Sequence, residues 1–301
     1  MAEKLCGRII KSVGGLYTVS TDDGEIQCRA RGVFRHSNIS PLVGDIVSIA
    51  LDDNKNMVIS EIQERKNSLI RPPLANLDYV FVTFAAESPA PMLDMTDKLI
   101  SILEYNNVEP VIIIGKSELN FEYAEELKSI YTTAGFSAFT ISCYDGFGVD
   151  DVREFIRNNL EGKIAAFAGA SGVGKSTLLN SLFPELELAT NTVSRKTARG
   201  RHTTREVSLY SIDGVYIADT PGFSMLDFER FDFFELDDLK YTFREFERYI
   251  GECKYTKCSH TKEEGCAILE AVRNGEIPRS RHENYCILYD ILKTKHKWDK
   301  K

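Results

Sequence analysis

Short apolar runs alternate with polar turns over residues 1 to about 70. Leu5 to Ile10, Leu16 to Ser20, Glu25 to Ala30, Asp45 to Ile49 and Met57 to Ile62 read as strands, separated by Gly14-Gly15, Asp22-Asp23-Gly24 and Pro41-Leu-Val-Gly-Asp45. Five short strands in so small a segment predict an all-β barrel of the OB type. Beyond it, Asn67-Ser-Leu-Ile-Arg-Pro72-Pro73 reads as a stiff, extended linker. The pattern then changes. Leu77 to Phe84, Val111 to Ile114, Ala138 to Ile141, Ile164 to Ala168 and Gly214 to Ala218 are apolar runs separated by helical stretches. Such alternation predicts a mostly parallel sheet with helices on both faces. In the last segment Leu236, Leu239, Phe243, Phe246 and Ile250 share one helical face, and Tyr285, Leu288, Tyr289 and Leu292 mark a second helix. The expected architecture is multi-domain: an all-β OB-type barrel (1–70), an α/β domain (71–226) and a mostly α domain (227–301).

Candidate chemistry concentrates where the strand Ile164 to Ala168 meets the helix Thr177 to Leu182. Gly169, Ala170, Ser171, Gly172, Val173, Gly174, Lys175 and Ser176 spell a complete phosphate-binding loop running into Thr177. Its glycines permit the tight turn, its N–H groups face phosphates, Lys175 neutralises them, and the Ser176 hydroxyl suits Mg2+. Downstream, Asp219-Thr-Pro-Gly222 follows a strand. An NTPase needs a carboxylate near Mg2+ and a glycine N–H for the γ-phosphate at that point. Between the two lies Arg199-Gly-Arg-His202-Thr203-Thr204, which suits a switch loop whose threonine completes the Mg2+ shell. Thr204 joins Ser176 in the candidate magnesium set, although Thr203 meets the same requirement.

Elements suited to reading the base precede the phosphate loop. The strand Val111 to Ile114 ends in Gly115, Lys116, Ser117, Glu118 and Leu119, and the strand Ala138 to Ile141 runs into Ser142 and Cys143. In most GTPases these elements follow the phosphate loop, so the chain reads as circularly permuted. Near the C-terminus Cys253, Cys258, His260 and Cys266 cluster, and three thiolates with one imidazole can close a tetrahedral structural Zn2+ shell. The other cysteines, Cys6, Cys28, Cys143 and Cys286, are scattered and read as reduced thiols.

The permuted order, the Arg-His-Thr-Thr switch and the Cys/His cluster together resemble the ribosome small subunit-dependent GTPase A family over essentially the whole chain. That resemblance implies an OB-fold, a permuted P-loop GTPase domain and a small zinc domain, acting in maturation of the small ribosomal subunit. It implies GTP as substrate, Mg2+ and one structural Zn2+ as cofactors, and the small subunit with its rRNA as partner. The switch residues His202, Thr203 and Thr204, with Asp219 and Gly222, form the expected catalytic set. Two departures stand out. The family's Asn-Lys-x-Asp is Gly115-Lys116-Ser117-Glu118 here, which predicts weakened guanine discrimination. Phe223 occupies the place where Ras-like proteins carry a water-orienting glutamine, which predicts slow intrinsic turnover accelerated by a partner through His202.

Composition sets outer bounds. With 43% hydrophobic and 27% charged residues the chain is ordinary for a soluble globular protein, and no apolar run approaches the ~20 residues of a membrane span. The expectation is a cytoplasmic monomer without a membrane partner. The formal net charge of −8 disfavours diffuse polyanion binding, so RNA contact must be local. Arg29, Arg31, Arg35 and His36 on the barrel, Arg195, Lys196, Arg199, Arg201 and Arg205 around the switch, and the lysine-rich tail from Lys293 to Lys301 are the basic candidates. The alternative function is a nucleotide-responsive RNA-binding module, or a non-ribosomal NTPase with relaxed base specificity. Stimulation of turnover by small subunits separates these readings.

Overall fold

The computed structural model describes residues 5–35, 39–69, 72–185, 207–219 and 234–298. Its strands run in chain order as β1 (Leu5–Val13), β2 (Leu16–Thr21), β3 (Gly24–Ala30), β4 (Ile46–Leu51), β5 (Met57–Ile62), β6 (Ser68–Leu69), β7 (Leu74–Ala75), β8 (Tyr79–Ala85), β9 (Glu109–Gly115), β10 (Ser137–Thr140), β11 (Ile164–Ala168), β12 (Ser208–Ile212) and β13 (Val215–Asp219). The helices are α1 (Leu93–Tyr105), α2 (Phe121–Thr133), α3 (Val149–Asn159), α4 (Lys175–Leu182), α5 (Ala267–Arg273) and α6 (Arg279–Trp298). The chain divides into two compact units, one of residues 1–79, 155–166 and 185–223, the other of residues 80–154, 167–184 and 224–301.

In the first unit, alternation along β1 to β5 turns Ile9, Val19, Val47, Ile49 and Ile59 inward, where they are fully buried. Strand order is β1-β2-β3-β5-β4, and β4 returns to β1 with Leu5 opposite Ile49, which closes a five-stranded barrel. The β3–β5 contact is parallel, Arg29 facing Val58, while the neighbouring pairs are antiparallel. The buried Asp45 carboxylate accepts from Arg65 Nε at 2.7 Å and from Leu42 N at 2.7 Å, fixing the loop before β4. Where the paired prolines predict an extended linker, the structure has a small hairpin of β6 and β7, with Ser68 opposite Ala75. Pro72 and Pro73 lie in its turn, where a fixed φ and a missing N–H do no harm. The same unit holds β13 between β11, parallel to it, and β12, antiparallel.

The second unit is built on β8, β9 and β10, with β9 between the others and Val111 of β9 in parallel register with Ser137 of β10. Val80–Ala85 and Pro110–Gly115 are buried throughout. Strands so continuously buried, apolar but for Thr83, suit a sheet covered on both faces. Past residue 234 the expected helix over Leu236 to Ile250 resolves into two 3-10 segments, Leu239–Thr242 and Arg244–Tyr249, broken at Phe243, which is extended at φ −111° and ψ 91°. The break serves opposing demands. Leu239, Phe243 and Phe246 all enter one core with Ile268, Ile277 and Tyr285. Arg244 meanwhile reaches Glu104 and Glu109, its Nε lying 3.0 Å from Glu104 Oε1 and its Nη2 2.8 Å from Glu109 Oε2.

A charged network lies at the centre of this unit. Arg281 of α6 is 0% exposed and donates to Asp97 of α1 at 2.6 Å and to Glu245 at 2.8 and 3.2 Å. Asp97 also accepts from Asn284 at 2.6 Å and from the Tyr131 hydroxyl of α2 at 3.1 Å. No helix among the described residues is long and apolar enough to cross a membrane.

Candidate functional site

The phosphate loop joins β11 to α4. Gly169, at φ 150°, abuts β8 so closely that a Cβ would stand 2.0 Å from Thr83 O, so only glycine fits. Gly172 and Gly174 take left-handed φ values of 82° and 102°. Gly174 caps α4 without a side-chain hydrogen bond, which leaves the helix N-terminus open for an anion. Lys175 Nζ donates to Gly169 O at 2.8 Å and Ala170 O at 2.7 Å, so the loop curls around its own ammonium, and burial lowers the lysine's pKa. Val173 is buried beneath the loop, while Ser171, Gly172, Ser176 and Thr177 face solvent. Displacing the lysine's carbonyl partners by phosphate oxygens needs only side-chain rotation.

Both base-reading candidates meet this loop within the same unit. β9 ends at Gly115, whose missing Cβ would lie 3.3 Å from Val173 O of the phosphate loop. Lys116 is left-handed at φ 55° and its ammonium donates to Ser88 O. Ser117 is buried, and its N–H donates to Ile141 O at 3.1 Å, which ties the first loop to the second. In the second loop Ser142 is buried and Cys143 half-buried. Burial pushes the Cys143 thiol up, and the exposed Glu118 carboxylate acts in the same direction, so Glu118 and Cys143 are electrostatic neighbours. The phosphate loop, Gly115 to Glu118 and Ser142-Cys143 therefore converge. The Asp219 backbone closes β13, whereas its side chain and His202, Thr203, Thr204, Gly222, Phe223 and the basic switch residues lie outside the described residues.

The second constellation is the Cys/His cluster. Ligand atoms of Cys253, Cys258, His260 and Cys266 lie within 4.8 Å of one another. A tetrahedral zinc with bonds of about 2.3 Å to sulfur and about 2.0 Å to nitrogen sets S–S near ~3.8 Å and S–N near ~3.6 Å. Here Cys253 Sγ is 3.8 Å from Cys266 Sγ and 3.5 Å from His260 Nδ1, and Cys266 Sγ is 3.6 Å from His260 Nδ1. These three edges match a four-coordinate zinc, and Cys258, within 4.8 Å of the other ligand atoms, supplies a fourth donor. Burial and the neighbouring thiols push the Cys258 thiol up to about 12.

Residues that the sequence does not assign to this cluster hold it in place. Glu263 accepts from the N–H groups of Ser259 at 2.8 Å and of Thr261 and Lys262 at 3.1 Å, and from the Ser259 hydroxyl. Burial raises its pKa, but these donors outweigh burial and hold it at about 2. His282 Nε2 meets His260 O at 2.7 Å and Tyr285 donates to Ser259 O at 3.0 Å, docking the Cys/His loop on α6. The only advance signal was the position of Glu263 between two candidate ligands.

On the barrel, Gln27, Arg29, Arg31, Lys55 and Asn56 line a cleft of about 1110 Å3 together with Asp52. The cleft is mixed in charge rather than uniformly basic. His36 and the Arg35 side chain lie outside the described residues. The C-terminal tail continues α6 to Trp298, its side chains described only to Thr294.

Comparison with known proteins places this geometry. Residues 62–229 match the family model of the RsgA GTPase and residues 6–59 that of the RsgA N-terminal domain. A small ribosomal subunit biogenesis GTPase RsgA from Clostridium beijerinckii is 43% identical over 295 residues, 97% of this chain and 99% of the relative. Its counterpart from Caldanaerobacter subterraneus is 40% identical over 297 residues, 98% of each chain. Among solved structures, YjeQ from Thermotoga maritima matches with a TM-score of 0.80 at 33% identity, covering 96% of this chain and 99% of that one. YloQ, described as a circularly permuted GTPase, matches with a TM-score of 0.77 at 33% identity, covering 98% and 96%.

Proposed function

The chain belongs to the RsgA GTPase family, and from that premise we propose that this GTP hydrolase binds the assembling small ribosomal subunit, is stimulated by it, and leaves once GTP has become GDP and phosphate. The observation that carries the reading is the convergence of the phosphate loop with both base-reading loops in one unit, in permuted chain order.

In this reading Gly169 to Thr177 hold the phosphates, with Lys175 turning from its own loop carbonyls to the β- and γ-phosphates. Glu118 accepts from the guanine N1–H and amino group, the Lys116 stem lies along the base, and the Ser142-Cys143 backbone meets its carbonyl edge. Ser176, with Thr204 or Thr203, holds magnesium, which when bound would neutralise charge developing on the phosphate oxygens. Asp219 orients that shell, Gly222 N–H meets the γ-phosphate, and His202 positions the attacking water that Phe223 cannot. Cys253, Cys258, His260 and Cys266 hold one structural zinc. Residues 1–70, 71–226 and 227–301 act as barrel, GTPase domain and zinc domain of a cytoplasmic monomer, with Arg29 and Arg31 facing rRNA.

Phosphate release from GTP, measured with and without purified small subunits, tests this. Stimulation is expected for the unmutated, zinc-loaded chain, and Lys175→Ala is expected to lose about a hundredfold or more of the stimulated rate. No stimulation of the intact chain would overturn the subunit reading.

Gly115 adds a prediction about specificity. Its absent side chain would lie between the phosphate loop and the base-reading loop, close to Val173 O. Gly115→Asn supplies an amide donor there at the cost of a few tenths of an ångström of adjustment. The preference for GDP over ADP is expected to widen about five- to tenfold, on the order of 1 kcal/mol. Competition binding measures it, and an unchanged ratio would remove Gly115 from the account of base discrimination.

A further inference from the structure

The two base-reading loops carry a second feature that nucleotide binding leaves unused. Just beyond their polar heads each presents apolar side chains to water: Leu119 and Phe121 from the first, Tyr144 and Phe147 from the second, with Tyr144 89% exposed. Phe121 and Phe147 meet edge to face with ring centroids 5.5 Å apart, so the loops share one patch. The backbone beneath is well fixed. Ser142 N donates to Phe147 O and Gly146 N to Ser142 O, each at 2.9 Å, the Asp145 carboxylate accepts from Phe147 N at 3.1 Å, and Asn120 caps α2 by accepting from Tyr123 N at 3.2 Å. Among the described residues the Tyr144 side chain has no hydrogen bond or ring partner. An aromatic held in water at the tip of a braced loop gains nothing from folding. Contiguous exposed apolar groups of this kind mark partner surfaces, and aromatic side chains dominate their energetics.

Charge around the patch selects the partner. Glu122 and Asp145 are exposed next to Phe121 and Tyr144 in the chain and form no ion pair among the described residues, and the ammonium of Lys116 is engaged by Ser88 O. An acidic rim repels a phosphate backbone and complements lysine and arginine. We propose that the patch of Leu119, Phe121, Tyr144 and Phe147 docks a basic protein segment of the small subunit, its cations meeting Glu122 and Asp145 and its apolar side chains covering Tyr144. The inference rests on the subunit reading above.

The test compares the full-length zinc-loaded chain with Tyr144→Ala and Tyr144→Ala/Glu122→Lys, each binding purified small subunits and, separately, protein-free small-subunit rRNA. Tyr144→Ala is expected to weaken subunit binding about tenfold or more, and the double variant further, with affinity for naked rRNA and the KM for GTP without subunits unchanged. Equal subunit affinity of variants and unmutated chain overturns the docking surface. An equal loss on naked rRNA overturns the protein partner in favour of base stacking. A raised KM for GTP without subunits makes Tyr144 part of the nucleotide site and also overturns the proposal. If the unmutated chain fails to bind subunits at all, the function reading falls and takes this inference with it, a failure distinct from the first.

Discussion

Replacing Arg281 by methionine is expected to destabilise the second unit by about 3 to 5 kcal/mol, among the largest effects of any single substitution outside the metal ligands. The guanidinium is buried between the carboxylates of Asp97 and Glu245. These carboxylates outweigh burial and keep it firmly protonated. Methionine fills similar volume but leaves two carboxylates facing each other without a cation, and an uncompensated buried charge is far more unfavourable than the intact network. Because the network joins α1, α2, the 3-10 segment and α6, its loss should lower the melting temperature of the whole unit rather than fray one helix. Thermal unfolding of the full chain measures this, and a variant whose stability lies within about 1 kcal/mol of the parent's would mean that the pair contributes little.

The same substitution should show a particular pH dependence. Burial raises the Asp97 carboxyl above its ordinary value, with Arg281 pulling it partly back. A carboxyl whose folded pKa exceeds the unfolded one binds its proton more tightly in the folded state. Stability therefore falls as pH rises through the window between the two values, and stays low above it. Without Arg281 the folded value climbs further and that window widens upward. The deficit of Arg281→Met should thus be smaller near pH 5 than near pH 7, since protonation can neutralise the stranded carboxylates. A deficit that does not change with pH would place it in packing instead of charge.

These residues show where sequence reading ends. The phosphate loop is legible because its chemistry is local: three closely spaced glycines, Lys175 and Ser176 sit between a strand and a helix that declare themselves by pattern. The barrel strands are legible for the same reason, since short apolar-rich runs such as that of Val19 between Thr18 and Ser20 are set off by glycine and aspartate turns. Closure of the barrel is not, because the pairing of β4 with β1 joins Ile49 to Leu5 across an intervening sequence that does not encode it. Arg281 is harder still. On the sequence it is one of two arginines near the start of α6, and only partners 36 and 184 residues away, Glu245 and Asp97, decide that it is buried while Arg279 pairs with Glu283 at the surface. Helical spacing failed for Leu236 to Ile250 because apolar periodicity reports which residues share a side, not whether Arg244 and Glu245 must leave the helix to reach carboxylates and Arg281. The Gly115 to Glu118 and Ser142-Cys143 candidates were placed by chain order, but the contact of Gly115 with Val173 needed coordinates.

Chelation of zinc, or Cys266→Ser, is expected to release one metal per chain and unfold Cys253 to Cys266, because free energy of metal binding to such clusters, roughly 10 kcal/mol or more, is folding free energy. Besides a metal, this loop is held by the Lys254 N–H bond to Gly265 O, by the carboxylate of Glu263 gathering three N–H groups, and by Cys253, Cys258 and Cys266 packing on the core around Phe243 and Tyr285. The consequence should extend beyond the loop. His260 O and Ser259 O anchor His282 and Tyr285, which lie on α6 within one turn of Arg281. Loss of the metal therefore loosens the helix that carries the buried ion network into α1. Elemental analysis should find one zinc per purified chain. Hydrogen exchange after chelation should rise first over Cys253 to Cys266 and then over the first turns of α6, with α1 affected last. A zinc-free chain with unchanged exchange over all three would show that Cys253, Cys258, His260 and Cys266 are held together by packing alone. An effect confined to the loop would show that His282 and Tyr285 dock on it without depending on it.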